Sequence, residues 1–313
     1  MVAYLFAGQG AQYIGMGKDL YEAFPESKAL FDKADKVLGF SLTKLLFEGP
    51  QQELTQTANC QPAILTVSIA ALEAFKLRVT PRLRSGQASY ELRTPSFTAG
   101  LSLGEYSALV AAGALTFEDA VYLVRRRGEF MEEEARKTPG KMLSVIGLDL
   151  GAIRQISAET NTEIANINCP GQIVISGGVE EIEKAKKQAE ELGAKMTVFL
   201  EVSGAFHSSF MKEASFKLAK ELEKIKINTP SMPVICNVSA KPADSAAEIK
   251  ENLMKQVASS VLWEDSMKFI LSKGVRNFIE FGPGKVLKGL MRRIDANAQV
   301  VNIEKKDDIL ALQ

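Results

Sequence analysis

Phe97-Thr98-Ala99-Gly100-Leu101-Ser102-Leu103-Gly104-Glu105-Tyr106 reads as a short strand, Phe97–Gly100, feeding a serine and then a long helix that starts near Leu103. Its centre is G-x-S-x-G, and a strand before with a helix after is the setting in which that motif has chemical meaning. The serine must sit on a sharp, strained turn so that its hydroxyl projects free. Glycine on each side lets strand and helix approach closely. The helix aims backbone N–H groups and the positive end of its dipole at the turn. That puts the N–H of Leu103 where it can help hold an oxyanion.

Working outward, residues 2–6 read as a short buried strand ending in Gly8-Gln9-Gly10-Ala11-Gln12. Helical patterns follow to about residue 77. Leu30, Phe31, Ala34, Val37 and Leu38 share one apolar face, and 62–77 reads as a buried helix. Residues 78–95, with two prolines, one glycine and four arginines, break the pattern and read as a long exposed loop, a dispensable surface insertion. Downstream of the serine a second helix spans roughly 117–136.

A distinct block follows the turn Thr138-Pro139-Gly140. Strands at 141–148, 163–168, 172–176 and 195–201 alternate with helices at about 151–160 and 179–192. The order β-α-β-β-α-β is that of a ferredoxin-like unit. The expected organisation is therefore a large α/β subdomain, residues 1–137 and 202–313, carrying an inserted small subdomain, 138–201. The rest of the large part reads as a helix to about 226, a strand at 233–237, helices at 246–257 and 263–273, and a last strand at 277–281 before Gly282-Pro283-Gly284. Alternating strands and helices imply an α/β core with a mostly parallel sheet. Active sites of such sheets lie beyond the carboxyl ends of the strands, so Ser102, the 8–12 turn and the 282–284 turn are expected on one rim.

Composition narrows the classes. At 46% hydrophobic and 24% charged, the chain has the profile of a soluble globular protein with a real core. Its 38 basic and 38 acidic residues cancel, which advertises neither nucleic acid nor an anionic membrane as partner. The clusters Arg125-Arg126-Arg127, Lys184/Lys186/Lys187 and Arg292-Arg293 read as solvated helix faces, Arg127 excepted below. Cys60, Cys169 and Cys236 are far apart, and a single histidine cannot build a His-based metal site with them, so they read as structural thiols in a reducing compartment. No apolar run of membrane-spanning length and no signal-peptide pattern stand out, and the cytoplasm is the expected location.

A serine nucleophile needs a base. If that base is a histidine it is His207, in Val202-Ser203-Gly204-Ala205-Phe206-His207-Ser208, a glycine-containing turn after a strand. Spacing does not identify the group that orients the imidazole: a carboxylate such as Asp244 would serve, and so would a backbone carbonyl. The turn at 8–12 lacks the lysine of a phosphate loop and departs from G-x-G-x-x-G at Tyr13. An anchoring or oxyanion-hole turn fits it better.

Taken together, Gly8-Gln9-Gly10-Ala11-Gln12, Gly100 to Tyr106, Gly204-Ala205-Phe206-His207-Ser208 and Gly282-Pro283-Gly284 resemble, in order and spacing, the motifs of the malonyl-CoA:acyl-carrier-protein transacylases. These enzymes serve bacterial fatty-acid synthesis, and similar acyltransferase domains serve polyketide synthases. The resemblance spans nearly the whole chain apart from 78–95. It implies an α/β-hydrolase-like core with the small insert, and transfer of a malonyl group from malonyl-CoA, the substrate, to acyl carrier protein, with no bound cofactor. Ser102 would carry the malonyl ester and His207 would be the base. Gln9 and the Leu103 N–H would hold the oxyanion, Arg127 would grip the free carboxylate, and the backbone carbonyl of Gln256 would orient the histidine. Asn168 matches a polar residue near the substrate. Phe206 resembles the side chain of malonyl-selective members. The chain departs from the family at Leu101, where histidine is usual, and at Ala7, where proline is frequent. A polyketide-pathway acyltransferase, an acyl hydrolase and an inactive carrier-docking module are the alternatives, and a monomer is expected.

Overall fold

Val2–Phe6 is buried along its whole length, the signature of a strand covered on both faces, as central parallel strands are. The structure, a computed structural model, describes residues 1–82 and 94–312. Its strands are β1 (Val2–Phe6), β2 (Phe97–Gly100), β3 (Gly140–Ile146), β4 (Glu163–Cys169), β5 (Gln172–Gly178), β6 (Met196–Phe199), β7 (Val234–Ile235), β8 (Asn277–Phe281) and β9 (Gln299–Ile303). They form an α/β fold with two separate sheets: a parallel one in the order β7-β2-β1-β8-β9 and an antiparallel one in the order β4-β5-β3-β6.

Register decides where the motifs go. Phe6 lies opposite Gly100 on one side and Phe281 on the other. β1, β2 and β8 therefore release the chain at one edge, into Gly8–Gln12, Ser102 and Gly282–Gly284, as expected of the rim of a parallel sheet.

In the antiparallel sheet, β3, helix Leu150–Thr160, β4, β5, helix Val179–Glu191 and β6 follow one another in sequence. Alternation along the strands splits its faces. Leu143, Val145, Ile173 and Ile175 pack with Ile153, Ile156 and Ile182 of the two helices. Met142, Ser144 and Val174 point the other way, into a cavity shared with the parallel sheet's rim. The segments entering and leaving this unit run side by side: a Cβ added to Gly140 would lie 2.7 Å from Ala205 Cβ.

Helix Thr57–Arg82 is buried on all sides from Thr57 to Leu72 and is the core helix, packed against helices Pro25–Leu38 and Phe117–Lys137. Its Thr57–Arg78 part is long and apolar enough to cross a membrane by length and composition, which corrects the expectation that no such run exists; 83% of its most apolar window is buried inside the protein. The helix also corrects the loop expected at 78–95, because residues 78–82 continue it. Arg78 pairs with Glu26 and covers the Phe24 ring, which fastens this end to the neighbouring helix. The remainder of that expectation, 83–93, lies outside the described residues.

Two further expectations change. The helix after Ser102 is short, Gly104–Ala111, because Gly113 turns the chain at φ +70°. β8 is not the last strand. Helix Val286–Ile294 carries the chain back to β9, which pairs with β8 at the sheet edge.

Candidate active site

The turn after β2 is tight because two glycines make it so. A Cβ at Gly100 would fall 2.0 Å from the Gly104 backbone, and one at Gly104 would fall 2.2 Å from the Phe6 carbonyl oxygen. Both distances are impossible for a side chain, so any residue but glycine would pry helix and strand apart. Between them Ser102 is held at φ +52°, and His207 sits at φ +57°. Left-handed backbone at non-glycine residues is uncommon and collects at functional sites.

Asn237, just beyond β7, braces the serine turn. Its Oδ1 accepts the Ser102 N–H at 2.6 Å and its Nδ2 donates to the Gly100 carbonyl at 2.8 Å. The histidine turn is braced in its own way: Ser176 Oγ donates to the Phe206 carbonyl and Ser208 Oγ to the Ala205 carbonyl, each at 2.6 Å.

Ser102 Oγ lies 2.7 Å from His207 Nε2. On the far side of the ring, Nδ1 is 2.7 Å from the Gln256 carbonyl oxygen. A carbonyl only accepts, so Nδ1 carries the ring proton, and in neutral imidazole Nε2 is then free to accept from Ser102. Burial, reinforced by the Arg127 charge, pushes the His207 pKa down to about 4, against the opposing bonds to the Gln256 and Ser259 backbone. The ring is therefore neutral at physiological pH. Of the two orienting groups left open by the sequence, the backbone carbonyl is the one in place. Asp244 is exposed, with its N–H bonded to Glu248.

Arg127, only 2% exposed, reaches the same spot from helix Phe117–Lys137. Its Nη2 donates to Ser102 Oγ at 2.9 Å and to Gln256 Oε1 at 3.0 Å, and its Nη1 donates to Gln61 Oε1 at 2.8 Å. Its Nε–H is buried with no partner among the described residues. Burial lowers its pKa. All three bonding partners are neutral, so among the described residues a full positive charge lies inside the protein without a contacting carboxylate. Such a charge is costly to bury, and a site that keeps one is suited to an anion.

The cavity above these groups holds about 260 Å³ and takes in Gln9, Asn168, Phe206 and Leu101 together with Ser102, His207 and Arg127. Its walls are largely apolar, with Met131, Met142, Val174, Leu200 and Val202 among them. Gln9 turns its side-chain amide toward Thr57 Oγ1 at 3.5 Å. The backbone N–H groups of Gln9 and Leu103 make no hydrogen bond to a described residue. The Asn168 Oδ1 is buried and likewise without a described partner.

Gln9, Ser102, Arg127, Asn168, Phe206 and His207 thus line this one place, with Leu103 next to the serine and Gln256 bonded to His207 and Arg127 from behind; Asp244 lies elsewhere. Sequence reasoning missed the braces: Asn237, Gln61 and Glu105. Glu105 is 1% exposed, and its Oε2 accepts the Asn237 N–H at 3.0 Å and Gln256 Nε2 at 2.6 Å. Burial raises its pKa to about 7 against those two bonds. Asn237 could have been found, since it ends a strand that leads to the rim. Gln61, a lone amide in an apolar helix, carried a weaker signal.

Comparison with known proteins places this geometry in a family. The acyl transferase domain family matches residues 3–305. The malonyl CoA-acyl carrier protein transacylase of Bacillus subtilis (strain 168) is 49% identical over 100% of this chain and 96% of its own length. That of Staphylococcus aureus (strain MRSA252) is 38% identical over 98% and 96%. Among solved structures, the transacylase of Coxiella burnetii superposes with a TM-score of 0.92 at 36% identity, covering 99% of this chain and 96% of its own. A malonyl-transacylase solved in complex with its type II polyketide synthase acyl-carrier protein superposes at 0.91 with 37% identity, over 99% and 98%. The chain belongs to the acyl transferase domain family and, within it, to the malonyl CoA-acyl carrier protein transacylases.

Proposed function

We propose that the protein moves a malonyl group from malonyl-CoA to the phosphopantetheine thiol of acyl carrier protein, in fatty-acid biosynthesis. The observation that carries this reading is the buried Arg127 guanidinium, with no contacting carboxylate among the described residues, touching the same hydroxyl that His207 touches. A thioester bound at Ser102 with a free carboxylate two carbons away would meet the cation there. Guanidinium suits that task through its bidentate geometry.

In this reading His207 Nε2 takes the Ser102 proton as Oγ attacks the malonyl thioester carbon. The tetrahedral oxyanion accepts from the N–H groups of Leu103 and Gln9. The C–S bond breaks, and the imidazolium returns its proton to the departing coenzyme A sulfur. The carrier thiol then gives its proton to His207 and attacks the malonyl ester, and Ser102 recovers its proton as the product thioester leaves. The Gln256 carbonyl steadies the imidazolium. Phe206 crowds the malonyl α-carbon, so a branched acyl group fits poorly, and Asn168 faces the substrate. The apolar cavity walls favour a thiol over water at the second step, which supports a transferase over a hydrolase. No cofactor enters either step.

The same chemistry would serve a polyketide carrier, and the solved transacylase bound to a polyketide acyl-carrier protein is a near structural relative. We read the parallel part, 1–137 with 202–313, as an α/β-hydrolase-like core. The insert, 138–201, we read as ferredoxin-like, supported by its β4-β5-β3-β6 order with two helices. The working form in this reading is a cytoplasmic monomer.

Intact-protein mass spectrometry after brief exposure to malonyl-CoA tests the proposal. The expected result is a malonyl adduct that maps to Ser102, passes to holo acyl carrier protein when it is added, and is missing from Ser102→Ala. An adduct lost to water at one rate, with or without carrier, would instead make the protein a hydrolase.

A further inference from the structure

Glu105 plays no part in the steps above, yet it is a buried carboxylate at the centre of the site's support. The Gln256 amide stands between it and Arg127. Nε2 of that amide donates to Glu105 Oε2 at 2.6 Å and to the Ser102 carbonyl at 3.0 Å, while Oε1 accepts from Arg127 Nη2 at 3.0 Å. A primary amide is a donor at one end and an acceptor at the other. An ionised carboxylate only accepts and a guanidinium only donates, so with Glu105 ionised the groups on either side leave the amide one orientation. With a neutral amide at position 105, only Arg127 and the Ser102 carbonyl still enforce that orientation, and an NH₂ at 105 turned toward Gln256 would oppose it. A flipped Gln256 would point its NH₂ at Arg127, donor against donor.

The spacing has a second consequence. Among the described residues Arg127 has no ion pair, and the nearest buried anion on the site is held one amide away. A carboxylate in direct contact with the guanidinium would compete with an incoming one. A carboxylate behind Gln256 steadies the cation through the amide dipole and leaves its hydrogen-bonding edge open, as the unpartnered Nε–H is.

We propose that Glu105 is a positioning residue that acts through the Gln256 amide to hold Arg127 ready for the acyl group's carboxylate while leaving that cation unpaired. The inference rests on the reading of Arg127 as the carboxylate clamp. It assigns Glu105 to substrate selection, separately from its support of the serine turn through Asn237.

The test measures loading of the full-length protein with malonyl-CoA and with acetyl-CoA, resolved into kcat and KM, for wild type, Arg127→Ala, Glu105→Gln and the double variant. Glu105→Gln should lower the malonyl-to-acetyl ratio of kcat/KM by about 10- to 100-fold, the effect of losing one hydrogen bond to a charged group, chiefly through the malonyl KM. In the Arg127→Ala background the same change should leave that ratio as it is, since residues acting as a unit are not additive. Equal losses for both substrates, carried by kcat, would reduce Glu105 to structural support and overturn the proposal. Should Glu105→Gln fail to fold, Gln256→Met removes the amide and keeps the backbone carbonyl on His207. It should lower the ratio likewise, and an unchanged ratio would overturn the proposal. If Arg127→Ala alone leaves the ratio unchanged, the clamp reading fails. If that variant collapses the ratio and Glu105→Gln does not, only the role of Glu105 fails.

Discussion

His207 illustrates how a single side chain is tuned by surroundings that no motif spells out. Burial and the Arg127 charge both disfavour the imidazolium, which places its pKa near 4 instead of the usual value near 6.5. The base works only when neutral, so activity is lost as pH falls through the pKa of the free enzyme. The acid limb of kcat/KM for acetyl-CoA loading should therefore lie near pH 4, with full rate kept at pH 5.5, where an ordinary histidine is mostly protonated. Removing the Arg127 charge should move that limb to higher pH. It should stay below 6.5, because burial is the larger cause and remains. Acetyl-CoA is the right substrate here, since its loading does not depend on the Arg127 clamp that the variant removes. A limb at or above 6.5 in the wild type would show the ring to be solvated in solution. The sequence made His207 legible by elimination, as the one histidine available. Glu105, Asn237 and Gln61 were not legible as partners, because their contacts span 132, 135 and 66 residues and follow no local period.

Elements were read well wherever their signal was local. Strands β1 to β8 were found from apolar runs bounded by turn residues. β9 and helix Val286–Ile294 were missed, the strand because two of its five residues are exposed at a sheet edge and the pattern is weak there. The close approach of β1, β2 and helix Gly104–Ala111 is a property of elements that glycine alone permits. Gly104→Ala would drive a methyl group against the Phe6 carbonyl, a backbone atom that cannot step aside. Overpacking of this kind costs about 1–3 kcal/mol or more, so Tm should fall by several degrees and acyl loading with it. Gly289 is the control. It lies inside helix Val286–Ile294 with nothing within 4 Å of an added Cβ, and Gly289→Ala should stabilise by about 1 kcal/mol through helix propensity. Thermal denaturation of the two variants side by side checks both signs. If Gly104→Ala melts with the wild type, the tight packing at this turn is not needed for stability.

At the scale of the whole molecule, the cavity exists only because the antiparallel sheet is held over the rim of the parallel one. One tie is backbone: the Ile167 N–H donates to the Val261 carbonyl at 2.9 Å and the Val261 N–H to the Ala165 carbonyl at 2.8 Å. Another tie is a side chain. Arg293, on the helix after β8, donates to Gln172 Oε1 at 2.7 Å, to the Pro170 carbonyl at 3.1 Å and to the Gly171 carbonyl at 3.2 Å, and Gln172 lines the cavity. The sequence set Arg293 down as part of a solvated helix face, because a helix pattern does not reveal what a second unit presents across a cleft. Arg293→Ala should loosen the side-chain tie and leave the backbone tie intact. Its bonds are exposed and worth roughly 1 kcal/mol together, so the KM for malonyl-CoA should rise about fivefold. The kcat for acyl-enzyme formation should stay close to wild type, because Arg293 bonds none of Ser102, His207 and Arg127. Steady-state loading kinetics separate the two parameters. A fall in kcat with KM unchanged would mean that the hold between the two units reaches the reacting groups themselves, and that the side-chain and backbone ties act as one.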